Sequence, residues 1–133
     1  MSKKDSKPMT AKEFRAELIK IMPGYKWTVH KGYGDTHLKA TGIQSAGFNR
    51  ISTLSVNRRE QKGHVLYPIE YEVKSSGYGL RAPWLSTYKD GTLARALRGL
   101  QEHYEYAAQN YRAHAIALQD GRNKEQVQAN PAS

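Results

Sequence analysis

Residues 65–74, VLYPIEYEVK, carry Val65, Tyr67, Ile69, Tyr71 and Val73 at every second position, with Pro68, Glu70, Glu72 and Lys74 between them. A period of two sends one set to each side of an extended chain, so the stretch predicts a strand with one dry and one wet face. Pro68 has no amide to give to a ladder, so an edge position or a bulge is expected there.

Working upstream, Leu54 and Val56 mark a second strand, which ends in the polar turn Arg59-Glu60-Gln61-Lys62-Gly63. Tyr25, Trp27 and Val29 alternate with Lys26, Thr28 and His30, a third strand with a wet face. Residues 31–50 read as a long, glycine-punctuated connection, with a short strand near Leu38–Thr41. Helices bracket these strands. Thr10-Ala11-Lys12-Glu13 is a capping box, and Ala11, Phe14, Leu18, Ile21 and Met22 then form one stripe before Pro23-Gly24 stops the helix. Downstream, a helix is expected to open around Asp90–Thr92. Leu93, Leu97, Leu100, Tyr104, Ala107, Tyr111, Ala115 and Leu118 step by three and four, with Gly121 as the stop.

The expected fold is therefore α+β in the order α-β-β-β-α: a three-stranded antiparallel sheet packed against two helices, the last one long. Residues 10–121 make one domain, flanked by a disordered basic tail at 1–9 and a second disordered tail at 122–133. A helix of about 28 residues would run roughly 42 Å, longer than a domain about 35 Å across. A homodimer through the apolar stripe of its C-terminal turns is the natural use for the excess.

The 133 residues contain no cysteine, which rules out disulfides, thiolate metal sites and cysteine nucleophiles and fits a reducing compartment. No stretch has the apolar length of a membrane span, and the start of the chain lacks the apolar centre of a signal peptide, so cytoplasmic residence is the default expectation. The formal charge is +9, and residues 10–119, with 16 basic against 9 acidic side chains, keep +7 of it. A domain with that surplus attracts polyanions.

Its cations gather where the last helix should open. Ser86-Thr87-Tyr88-Lys89-Asp90-Gly91-Thr92 leads to Arg95 and Arg98, although helix N-termini favour acidic residues. Free amides, hydroxyls and three cations around one helix end suit a phosphate. The competing structural account has Asp90 capping the helix and Arg98 pairing with Glu102. Glycine–aromatic pairs recur at Gly24-Tyr25, Gly32-Tyr33, Gly47-Phe48 and Gly77-Tyr78. Such aromatics can stack on bases; Tyr25 and Phe48 are expected instead to pack over the sheet ends.

In its element order the chain resembles a double-stranded-RNA-binding domain. Pro23-Gly24-Tyr25 is similar to that family's Pro-x-Tyr lead into the first strand, Gly34-Asp35-Thr36-His37 to its Gly-Pro-x-His loop, and Gly77-Tyr78-Gly79 to its Gly-x-Gly. The loop proline and the Lys-Lys-x-Ala-Lys cluster of the family are not present. The resemblance implies that the His37 loop meets a minor groove while Lys89, Arg95 and Arg98 contact phosphates across the major groove. GFNRISTLSV and GYGLRAPWL also look like stretches of small phage and prophage proteins.

The expected function is a non-enzymatic nucleic-acid-binding module, duplex favoured. Lys89, Arg95 and Arg98 would be the anchor, with His37, Lys39, Arg50 and Tyr33 as a second contact; neither metal nor cofactor is called for. Two alternatives stand beside it. One is a phage-type accessory protein or inhibitor (anti-CRISPR-like) that uses the same surface against an acidic host protein. The other is a nuclease: Glu72-Val73-Lys74, with Glu13 or Glu17, resembles the PD-(D/E)xK enzymes, whose carboxylates hold Mg²⁺ while the lysine assists a water. That pattern also needs an aspartate on the preceding strand, and Ile51–Arg58 has no acidic residue.

Overall fold

A computed structural model of the chain describes residues 9–31, 34, 36–61, 63 and 68–129. The first helix, α1 (Ala11–Ile21), opens as its sequence requires. The Thr10 hydroxyl accepts from the Glu13 amide at 3.1 Å and the Glu13 carboxylate accepts from the Thr10 amide at 2.9 Å. These bonds hold the Glu13 carboxyl below its ordinary pKa, the backbone amide of Thr10 contributing most. The stripe buries Phe14 and Leu18 completely.

Five strands follow: β1 (Lys26–His30), β2 (His37–Ala46), β3 (Asn49–Glu60), β4 (Ile69–Ser76) and β5 (Trp84–Asp90). They form one antiparallel sheet in the order β1-β2-β3-β4-β5. The fold is α+β as expected, but the sheet has five strands where three were expected. The two additions lie in segments whose apolar signal is weak. On β2 the inward positions include Ala40 and Gly42, small because the Trp27 indole lies over Gly42; a Cβ there would stand 2.7 Å from the ring. On β5 most residues are exposed. Residues 86–90 of the stretch read as the entrance to the last helix thus belong to a strand. Pro68 stands just outside β4, which is interior, and its carbonyl accepts from the Gln61 amide at 2.7 Å. The Val65 and Tyr67 part of the expected strand lies outside the described residues.

Register decides which residues share a face. Trp27, Gly42, Leu54, Ser75 and Ser86 form one row across the sheet, and Val29, Ala40, Val56, Val73 and Tyr88 the next. This is the apolar face, and α1 lies against β1 and β2. The Trp27 indole donates to the Met22 carbonyl at 3.0 Å, and Tyr25 shares a 2.6 Å hydrogen bond with Ser52, so Tyr25 packs as expected. Phe48, in contrast, is fully exposed in the tight turn between β2 and β3, beside Gly47 at φ 62°.

The last helix, α2 (Leu93–Ala129), begins with Leu93, Ala96, Leu97 and Leu100 buried. Gly99 meets the Tyr88 ring so closely that no Cβ would fit. The apolar face therefore carries both helices. Gly121 does not stop α2, which continues to Ala129. The chain divides into two compact units, residues 1–100 and 101–133. In the second unit, Tyr111 and Leu118 of the apolar stripe are exposed. Among the described residues, no helix is long and apolar enough to cross a membrane.

Candidate nucleic-acid interface

The opposite face of the sheet is polar, yet much of it is withdrawn from water: Thr53, Ser55, Asn57 and Ser76 are all buried. Polar side chains on a strand's wet face are normally exposed, so their burial marks a feature beyond the core.

This face has two chemically different ends. At one end charges are paired. Arg59 reaches Glu70 at 3.7 Å and Glu72 at 3.6 Å, and Lys89 reaches Glu72 at 3.9 Å. The register puts Arg59 directly opposite Glu70. His37, at the start of β2, shares a 2.8 Å hydrogen bond with Asn57.

From the row that His30 and Lys39 share with Asn57 and Glu72 towards the other end lies a cavity of about 410 Å³. Lys39, Arg50, Lys74 and His30 bring basic groups to it. Thr41, Thr53, Ser55 and Ser76 bring hydroxyls, and Leu80, Ala82 and Trp84 close one side. Among the described residues, no carboxylate lines it. His30 shares a 2.7 Å hydrogen bond with Thr41. Ser55, only 2% exposed, has a buried Oγ with no hydrogen-bond partner among the described residues.

Two register shifts build this cavity. Between Gln44 and Ser45 the pairing of β2 with β3 slips by one residue, leaving Ile51 extra and setting Arg50 opposite Ser45. Strict alternation would have turned Arg50 to the apolar side with Ser52 and Leu54. A second slip between Ser75 and Ser76 leaves Leu85 extra and sets Trp84 opposite Ser76. Each bulge re-aims one side chain onto the polar face, at the same end of the sheet. Lys74 Nζ then lies 4.8 Å from the centroid of the Trp84 ring, a cation–π contact. The Gly79 amide (φ 108°) donates to the Arg50 carbonyl at 2.8 Å, tying the β4–β5 connection beside the cavity.

The expected anchor is arranged differently from the sequence reading. Lys89 belongs to β5, on the polar face beside Glu72, and does not open the helix. The helix start is served internally: the Thr92 hydroxyl accepts from the Arg95 amide at 3.2 Å, and Asp90 Oδ1 accepts from the Gly91 amide at 2.6 Å. Arg95 and Arg98 are exposed on α2. Of the second contact, Lys39 and Arg50 line the cavity, His37 lies on the same face, and Tyr33 is outside the described residues. Sequence reasoning missed Lys74, Trp84 and the hydroxyl floor. Lys74 was read only within the Glu-x-Lys pattern, and the alternating Thr53 and Ser55 were the signal available for the floor.

The nuclease constellation is not assembled. Glu72 and Lys74 share the polar face, whereas Glu17 accepts from the Tyr71 hydroxyl at 2.9 Å on the helix-covered side. Among the described residues no three His, Asp or Glu side chains stand close enough to hold a metal ion. Tyr71 also accepts from buried Arg58 Nε at 3.0 Å, and Arg58 donates to Glu60 at 2.9 Å. Burial opposes the Arg58 charge, but Glu60 and Tyr71 outweigh it and raise the guanidinium above its ordinary pKa. This network buttresses the apolar side. No family model, curated protein or solved structure matches the chain.

Proposed function

We propose that the protein binds nucleic acid through backbone phosphates, with the cavity end of the polar sheet face as the contact. One observation carries this reading: Arg50 and Lys74, with Lys39 beside them, converge on a concavity whose described lining residues include no carboxylate. Grooves lined by one sign of charge focus the field of the protein and raise the local concentration of polyanions. The hydroxyls beside the cations are suited to phosphate and sugar oxygens. Lys89 is already beside Glu72, so it contributes less field than its place in the sequence suggested.

A salt-titrated shift assay with DNA and RNA tests the reading. Binding at low salt should weaken steeply as salt rises and vary little with base sequence. The combined reversal Lys39→Glu, Arg50→Glu and Lys74→Glu should abolish it, lowering the salt slope by roughly two to three as that number of phosphate contacts is lost. The matching reversal of Lys89, Arg95 and Arg98 should weaken binding far less; equal losses would move the site to the helix start.

A second reading has its own support. Phe48, Tyr78 and Leu80 are exposed in the two connections near this end of the sheet, as is Leu85 at the start of β5, and apolar groups beside cations also suit an acidic protein surface. Absence of binding to every DNA and RNA at low salt would favour that partner.

A further inference from the structure

We infer that the cavity takes one unstacked nucleotide of a single strand, with its phosphate on Arg50 and Lys39 and its base against Trp84. The inference rests on the nucleic-acid reading and departs from the duplex expected from sequence. A duplex presents phosphates on a stiff, convex surface and keeps its bases stacked inside, so it can touch the rim of a concavity but cannot fill it. The cavity here is about 410 Å³, within the roughly 300–1,000 Å³ range of small-molecule pockets. Its floor is Ser55, whose buried Oγ has no hydrogen-bond partner among the described residues. A group on the surface of a duplex cannot descend to that atom; a splayed-out nucleotide can.

The walls agree with that guest. Trp84 stays 47% exposed while Lys74 sits over its ring, so an aromatic surface and a cation stand side by side. Stacking on an aromatic residue with a cation on the backbone is the sequence-tolerant mode of single-strand binding. Thr53, Ser55 and Ser76 offer hydroxyls that both donate and accept, a match for base edges and sugar oxygens. The two bulges strengthen the case, because each one brings a different half of this chemistry: the phosphate ligand Arg50 and the stacking residue Trp84. Without them both side chains would lie on the other face.

The test uses the full-length protein and fluorescein-labelled 12-mers, single-stranded and blunt duplex, DNA and RNA, followed by anisotropy at low salt. Single strands should bind at least tenfold tighter than the matched duplexes. Trp84→Ala should lower single-strand affinity about tenfold or more, Trp84→Phe should restore most of it, and duplex affinity should barely change. Trp84 is half-exposed, so these variants should fold, and circular dichroism checks it. Equal affinity for both forms, or no effect of Trp84→Ala while reversal of Lys39, Arg50 and Lys74 still abolishes binding, overturns the inserted nucleotide and leaves phosphate binding standing. A free mononucleotide that competes as well as the 12-mer overturns strand binding in favour of a small-molecule site. Loss of every interaction, for all forms and at low salt, removes the nucleic-acid reading itself.

Discussion

The middle of β3 and the end of β4 are buried on both faces, but for opposite reasons. On one face Leu54, Val56, Tyr71 and Val73 lie in the apolar core on the side that carries the helices. On the other, Thr53, Ser55 and Ser76 are withdrawn from water among polar neighbours and the β4–β5 connection. Burial of apolar area stabilises a fold, at roughly 25 cal/mol per Å². Burial of a hydroxyl without a partner works against it. A chain that keeps both on the same two strands separates its core from the proposed binding face, and substitutions can be aimed at each face in turn.

The largest effect should come from the helix-covered face. Phe14→Ala empties a fully buried position and is expected to cost about 3–5 kcal/mol, read as a lower urea midpoint with loss of all binding. Next is Gly42→Ala, whose new methyl must push against the Trp27 ring; overpacking of this kind costs about 1–3 kcal/mol in the same measurement. Tyr71→Phe should cost about 1–2 kcal/mol, since Arg58 and Glu17 each lose a hydrogen-bond partner in a buried setting.

Tyr71 also sets a pH dependence. Burial, with the Glu17 carboxylate beside it, pushes its pKa from 10.0 up to about 12. The folded state holds the phenol proton more tightly than the unfolded chain, so this contribution is complete below pH 10 and is lost as pH rises towards 12. The melting temperature of the wild type should therefore fall more steeply across that window than that of Tyr71→Phe. A parallel decline in the two would break the assignment.

The smallest stability change should lie on the polar face. Ser55→Ala removes a buried hydroxyl that bonds to nothing described, so unfolding should shift by no more than about 0.5 kcal/mol and in the stabilising direction. Affinity for single strands should nevertheless drop several-fold. A large loss of stability would show that Ser55 belongs to the core economy and not to a site.

Much of this was legible along the chain, where the cue was local. The Thr10 capping box, the Phe14–Leu18 stripe and the alternation from Ile69 to Val73 all appear as read. β2 was legible only as a short strand near Leu38–Thr41 within a connection, and β5 escaped, because their inward residues are small or sparse. Ala40 and Gly42 carry almost no hydrophobic signal, and the glycine makes sense only once Trp27 of the neighbouring strand is seen above it. Lys39 and Arg50 were singled out by charge, but nothing local placed them with Lys74 and Trp84.

Composition and periodicity alone thus determined a basic α+β chain with one apolar face and a capped first helix, because those properties depend on neighbours a few residues apart. Tertiary structure decided the strand count, the pairing of Lys89 with Glu72, and the meeting of Arg50 with Trp84. The physical reason is register: one extra residue in a ladder reverses the side of the sheet to which a side chain points, and that slip is written in the pairing between strands.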